Sequence, residues 1–216
     1  MRHRRIPGSS GLMPDYWSRA KRSLVLRDPV LAAIIRAHPR VALRSRGDAF
    51  QTLARSIVGQ QISVKAADRI WQRFFDVVVS VQPRAVLDAG ALRLQASGLS
   101  RRKAEYLVEL AEHFASGAVN PAEWAVLDDE AVIGQLTRVR GVGRWTAEMV
   151  LIFGLLRPNV LPLDDLGLQR AVGRHYFSGR RVSPRTIRRL GFNWEPWRSV
   201  ATWYLWRSLD PVPVEY

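Results

Sequence analysis

Apolar residues recur at three- and four-residue spacing along most of the chain, and no segment shows the two-residue alternation of a strand. The pattern predicts an all-α protein. Helices are expected over 15–27 and 29–37, the second ended by His38-Pro39. Another is expected over 49–58, with Phe50, Leu53 and Ile57 on one side, until Gly59-Gln60-Gln61 breaks it. Ser63 then caps a longer helix carrying Val64, Ala67, Ile70, Trp71 and Phe74, at whose end Val77, Val78 and Val79 read as core. Ser100 opens a basic helix from Arg101 to Ser116, with Gly117 as its stop signal. Further helices are expected from Asp165 to about His175, from Pro184 to Leu190 and from Glu195 to Leu209, before an extended tail over 211–216.

The segment Leu136-Thr-Arg-Val-Arg-Gly-Val-Gly-Arg-Trp-Thr-Ala147 carries more chemistry than its neighbours. Before it, Asp128 caps a short helix to Thr137 with acids in its first turn and Val132, Ile133 and Leu136 as its apolar stripe. After it, Arg144 to Leu156 reads as a longer, more apolar helix closed by Arg157-Pro158. So short a link between two helices must be a tight hairpin. Gly141 and Gly143 lack a Cβ, so another backbone can approach closely. The second helix begins with N–H groups that have no intrahelical partner, and a phosphate would satisfy them together with the helix dipole. Such a grip touches no base edge and is independent of sequence.

Net charge sharpens this picture. A formal charge of +14 points to a polyanion, with nucleic acid the default partner. Hydrophobic content of 47% and charged content of 24% are those of an ordinary globular chain. With no cysteine there is no disulfide, no thiol nucleophile and no iron–sulfur cluster on thiolates. No apolar run approaches bilayer length, and Met1-Arg-His-Arg-Arg lacks the hydrophobic stretch of a secretory signal, so a cytoplasmic, nucleoid-associated protein is expected. The basic residues 1–14 are expected to be a flexible arm.

One helix beyond the hairpin stands Leu161-Pro-Leu-Asp-Asp165. Either aspartate could be a helix N-cap, and either could be a carboxylate placed for chemistry, its anion favoured by the helix dipole. The residues alone leave both open. The eight tryptophans are equally two-sided: Trp17, Trp71 and Trp124 read as core, whereas Trp194, Trp197, Trp203 and Trp206 crowd the C-terminal segment and Trp145 stands at the hairpin.

Five segments, taken in order, resemble the helix-hairpin-helix DNA glycosylases, and among them the alkylpurine branch of 3-methyladenine DNA glycosylase II type. They are Ile57-Val-Gly-Gln-Gln-Ile-Ser63, Gly98-Leu-Ser-Arg-Arg-Lys-Ala104, the hairpin, Leu161-Pro-Leu-Asp-Asp-Leu166 and Trp194-Glu-Pro-Trp-Arg-Ser199. The resemblance implies two helical lobes with a DNA cleft between them. Residues 50–157 would form a six-helix bundle carrying the hairpin, and 15–49 with 158–216 the second lobe carrying the catalytic aspartate. The β-domain that precedes this core in larger bacterial relatives is expected to be absent.

The same resemblance assigns roles. Asp165 becomes the catalytic carboxylate, with Arg170 following it and Asp164 left as the cap. Trp145 and Trp206 become walls of a base pocket, and Met149 stands where well-studied relatives carry tyrosine. Gly141, Val142, Gly143, Arg144 and Thr146 would hold DNA, and Gln60 or Gln61, the latter the better match, would fill the gap left by an extruded base. Relatives that also cut the strand use a lysine at the position held here by Trp145. No lysine follows Lys103, so base release without strand cleavage is expected. The backbone carbonyls of Thr137, Val139 and Val142 would hold Na+ or K+ bridging to a DNA phosphate, with no other cofactor required.

The expected function is hydrolytic excision of alkylated purines (3-methyladenine or 7-methylguanine) from double-stranded DNA in base excision repair, by a monomer. Two alternatives stand beside it: a glycosylase for deaminated or mismatched bases, and a non-catalytic helix-hairpin-helix module.

Overall fold

A computed structural model describes residues 13–39, 41–45 and 48–209. The N-terminal arm, apart from Met13 and Pro14, and the tail over 211–216 lie outside the described residues. Among the described residues there are eleven α-helices and no strand. They fall into two compact units, one drawn from 1–46 and 151–215 and the other from 47–150.

The second unit contains α3 (Ala49–Gly59), α4 (Val64–Val78), α5 (Pro83–Gln95), α6 (Arg101–Ala115), α7 (Asp129–Leu136) and α8 (Arg144–Met149). Side chains cap four of these helices at the expected kind of residue: Asp48, Ser63, Ser100 and Asp128 each accept an N–H from the first turn. α3 packs against α4, α6 and α8, and α5 lies on α6. Leu53, Ile57, Phe74, Leu107, Leu110 and Leu136 are fully buried there, each contributing about 1.5–3 kcal/mol of transfer free energy. Trp71 and Trp124 are core, as expected. Of the three consecutive valines, Val78 is buried but Val79 is 75% exposed at a positive φ of 61°, so the expectation that all three are core fails at the chain reversal ending α4.

The first unit contains α1 (Trp17–Arg27), α2 (Pro29–Ala37), α9 (Leu166–Tyr176), α10 (Pro184–Gly191) and α11 (Arg198–Leu209). Its core is aromatic: Trp17 meets Trp203 edge-on at 5.2 Å and stacks on Tyr204 at 5.7 Å. Buried Asp28 ties four segments together. One oxygen caps α2 through Val30 and Leu31, and the other accepts from the Tyr176 hydroxyl at 2.7 Å and the Trp194 indole at 2.9 Å. Burial and the adjacent carboxylate push the Tyr176 hydroxyl well above the usual phenol range, so it remains a donor.

Two helices differ from expectation. The helix after the hairpin is α-helical only to Met149 and continues as a π-helix over Val150–Gly154, stopping short of Leu156, whose φ is 54°. The last helix begins at Arg198 and not at Glu195, and Phe192–Trp194 ahead of it forms a separate 3-10 turn.

Candidate functional site

The hairpin is built on the N-terminal half of α6. Gly141 takes φ 84°, and a Cβ there would lie 2.2 Å from Cδ2 of Tyr106. The Arg102 guanidinium donates to the Tyr106 hydroxyl at 2.5 Å. One residue before the turn, the Arg140 amide and guanidinium both donate to Glu109. The hairpin is therefore pressed onto an aromatic ring and pinned by a carboxylate, all from one helix face.

Gly143 is the N-cap of α8 and, having no side chain, makes no side-chain cap hydrogen bond. Val142 and Thr146 are buried. Arg144, expected to touch DNA, donates to Glu130 (2.9 and 2.5 Å) and to Glu148 at 3.1 Å, with half of its side chain exposed. The hydrogen bonds from Arg144 hold the Glu130 carboxyl below its usual range. The guanidinium braces α7 against α8.

The two glutamines separate cleanly. The Gln60 side chain donates to the Gly141 carbonyl at 2.8 Å, so it clasps the hairpin. Gln61 is exposed with φ 58°, the only one of the pair presented outward. Beneath them the Lys103 ammonium donates to the carbonyls of Val58 and Gln60, both at 2.7 Å, closing the C-terminal end of α3. Desolvation by partial burial lowers the pKa of this ammonium below the usual lysine range. Composition could show that Lys103 is the last lysine, but not that it reaches back more than forty residues to fix the glutamine pair.

Lys103→Met should lower stability by about 1 kcal/mol, the worth of exchanging charge-assisted hydrogen bonds for water. It should also slow base release from duplex several-fold while sparing a substrate whose damaged base is unpaired, for which no gap need be held. Urea unfolding and single-turnover release from the two substrates check this, and equal slowing on both would refute it.

Asp165, not Asp164, is the N-cap of α9. Asp164 is exposed, so the expected division of labour between the two is corrected: the buried acid does the capping. Asp165 is 8% exposed, and its Oδ1 accepts the Leu168 amide at 2.5 Å and the Trp206 indole N–H at 2.7 Å. Pro162 helps set it, its carbonyl accepting the Asp165 amide at 3.1 Å. A charged oxygen thus sits among N–H donors at the positive end of a helix, an arrangement suited to an anion.

Trp206 reaches Asp165 because residue 167 is glycine. A Cβ there would lie 3.0 Å from both Asp165 Oδ1 and Trp206 Cδ1. One indole face is covered by Phe153, stacked at 5.8 Å with a 14° tilt, a contact no spacing in the sequence signalled. The structure therefore brings Asp165, Trp206 and Phe153 together in the first unit. The hairpin, Gln60, Gln61, half-buried Trp145 and buried Met149 belong to the second.

Comparison with known proteins gives the class. A model of the HhH-GPD superfamily of base excision DNA repair proteins matches residues 54–198, and the chain belongs to that superfamily. A putative DNA-3-methyladenine glycosylase of Bacillus subtilis is 31% identical over 83% of this chain, which spans 66% of that relative's length. The DNA-3-methyladenine glycosylase 1 of Schizosaccharomyces pombe is 35% identical over 74% of this chain and 72% of its own. A solved 3-methyladenine DNA glycosylase of S. pombe, in complex with abasic DNA, superposes with a TM-score of 0.80 at 27% identity, covering 92% of this chain and 99% of that one. The likeness is thus to the alkylpurine branch, as the five sequence segments implied.

Proposed function

We propose that this protein is a DNA glycosylase that hydrolyses the N-glycosidic bond of alkylated purines, leaving an abasic site. The observation that carries the reading is Asp165, a buried carboxylate oxygen held by a helix N-terminus and an indole N–H. Departure of a purine leaves positive charge on the sugar. A fixed anion near the anomeric carbon stabilises that charge without reorganising, and it can orient the attacking water.

A purine methylated at N3 or N7 is cationic. It is a good leaving group, and it gains about 1–2 kcal/mol over a neutral base on desolvated indole. Trp206, with its N–H committed to Asp165, supplies such a surface. Gly141, Val142 and Gly143, with the backbone of Arg144 and Thr146, grip a phosphate, and Gln61 fills the vacated stack while Gln60 holds the hairpin. No lysine stands at 145, so no Schiff base with the sugar forms.

A Na+ or K+ fits the hairpin through the carbonyls of Thr137, Val139 and Val142. Thr137 is the C-cap of α7, its carbonyl beyond the helix ladder, while that of Val139 accepts the Val142 amide and retains a second lone pair. Such an ion would add positive charge toward a phosphate.

The test is release of bases from methylated duplex DNA, separated by chromatography. Release of 3-methyladenine or 7-methylguanine, with no borohydride-trapped covalent complex, is expected. Release only from uracil- or mismatch-containing DNA would replace the substrate class. A trapped complex would refute the single-step chemistry.

A further inference from the structure

Six arginines, against a net charge of +14, are concentrated where neither the hairpin nor the carboxylate uses them. Between residues 174 and 189 the chain carries Arg174, Arg180, Arg181, Arg185, Arg188 and Arg189 and no carboxylate. All six are exposed, and among the described residues none forms an ion pair; Arg180 only turns its Nε to the Phe177 carbonyl at 3.3 Å. Arginines elsewhere behave differently: Arg55, Arg84, Arg101, Arg140, Arg144 and Arg198 each meet an acid.

The geometry of α10 orders three of these charges. Ser183 caps the helix, Pro184 starts it, and fully buried Ile187 holds it down. Arg185, Arg188 and Arg189 stand at i, i+3 and i+4, on one face. Like charges at that spacing destabilise a helix, and no acid relieves them. An arrangement that costs the free protein stability is explained if a polyanion occupies it.

We propose that this arginine face binds the phosphate backbone of DNA as a second contact, separate from the hairpin. Guanidinium forks match phosphate oxygens and carry no base information, which suits an enzyme that must scan any sequence. Of α10's two aliphatic side chains, Ile187 is buried and Leu190 half-buried, so the face lacks the outward apolar residues with which an interfacial helix enters lipid. Arg174 lies nine residues along from Asp165 on the axis of α9, about 14 Å at 1.5 Å per residue. A duplex turn is about 34 Å, so a phosphate at Arg174 lies within half a turn of a nucleotide at Asp165.

The inference rests on the DNA-repair reading above, and its test separates the two. Affinity for undamaged duplex is measured against salt for the native protein, for the triple variant Arg185→Gln, Arg188→Gln, Arg189→Gln, and for Arg84→Gln, whose partner is Asp88. Each phosphate contact contributes about 0.9 to the slope of log K against log salt. The triple variant should lose about 2–3 from that slope and Arg84→Gln nothing. Should the triple variant fail to fold, Arg188→Gln alone should lose about 0.9.

An unchanged slope in the arginine variants overturns the proposal, as does an equal loss in Arg84→Gln. Loss of binding to phosphatidylglycerol vesicles with an unchanged DNA slope gives the face to lipid and also overturns it. The same preparations are assayed for base release from methylated DNA. No release by the native protein, with the slope loss intact, defeats the catalytic reading and leaves the arginine contact standing. Normal release with an unchanged slope does the reverse.

Discussion

Asp165→Asn should slow base release about a hundredfold or more, about 2.7 kcal/mol of barrier, with DNA affinity kept within about twofold. The substitution isolates charge from shape. Asparagine is as good an N-cap as aspartate, and its carbonyl oxygen can accept from the Leu168 amide and the Trp206 indole as Asp165 Oδ1 does now. The start of α9 and the lie of Trp206 should therefore persist, and thermal unfolding should shift little. What disappears is the negative charge facing a sugar that becomes cationic as the base departs. Single-turnover release under saturating enzyme measures the chemical step, and fluorescence anisotropy on the same duplex measures binding. A variant that releases base at near-native rate would remove Asp165 from the chemistry. One that loses binding in proportion to rate would make it a structural cap and nothing more.

That dual character explains what could be read from the chain and what could not. The Asp-Asp step announced a carboxylate at a helix start, because the physics of a cap and of a catalytic anion ask for the same place. For the same reason sequence could not divide the work between Asp164 and Asp165. Only burial and cap geometry show that Asp165 is the cap, and the chemistry proposed for it falls on that same residue. The hairpin was legible because two helical periodicities left too few residues between them for anything but a tight turn. Ser63, Ser100 and Asp128 were legible as caps because capping is settled within four residues.

Contacts decided across long sequence separations left no such trace. Lys103 reaching Val58 and Gln60, Gln60 reaching Gly141, and Phe153 stacking on Trp206 follow from how helices pack, not from local spacing. α5 also escaped the apolar pattern. Gly90 interrupts it with φ 67° and ψ 163°, so neither half runs long enough to show a helical stripe. The arginines of α10 were visible as charge, but their freedom from acids is a property of the fold.

The two glycines of the hairpin look equivalent in sequence and should behave differently when replaced. Gly141→Ala places a methyl 2.2 Å from the Tyr106 ring and forces φ 84° on a residue with a side chain. The ring cannot simply swing aside, since Arg102 holds its hydroxyl and α6 fixes its base. Overpacking of this kind with backbone strain should cost about 2–4 kcal/mol of stability. The turn should be displaced, with at least a tenfold loss of affinity for DNA as its backbone N–H groups leave their alignment.

Gly143→Ala meets nothing within 4 Å and sits at φ −87°. Its stability should change by less than about 1 kcal/mol, the range for an exposed cap position. Affinity should nevertheless fall, because the methyl stands where a phosphate must approach. A Tyr106→Ala background separates the two causes at 141. There Gly141→Ala should cost only the left-handed backbone penalty, about 1 kcal/mol. Urea unfolding of the four proteins in that cycle, with anisotropy on the singly substituted hairpins, decides the matter. A Gly141→Ala protein as stable as the native one would mean that the hairpin is not pressed onto α6, and that Tyr106 plays no part in shaping the turn that faces DNA.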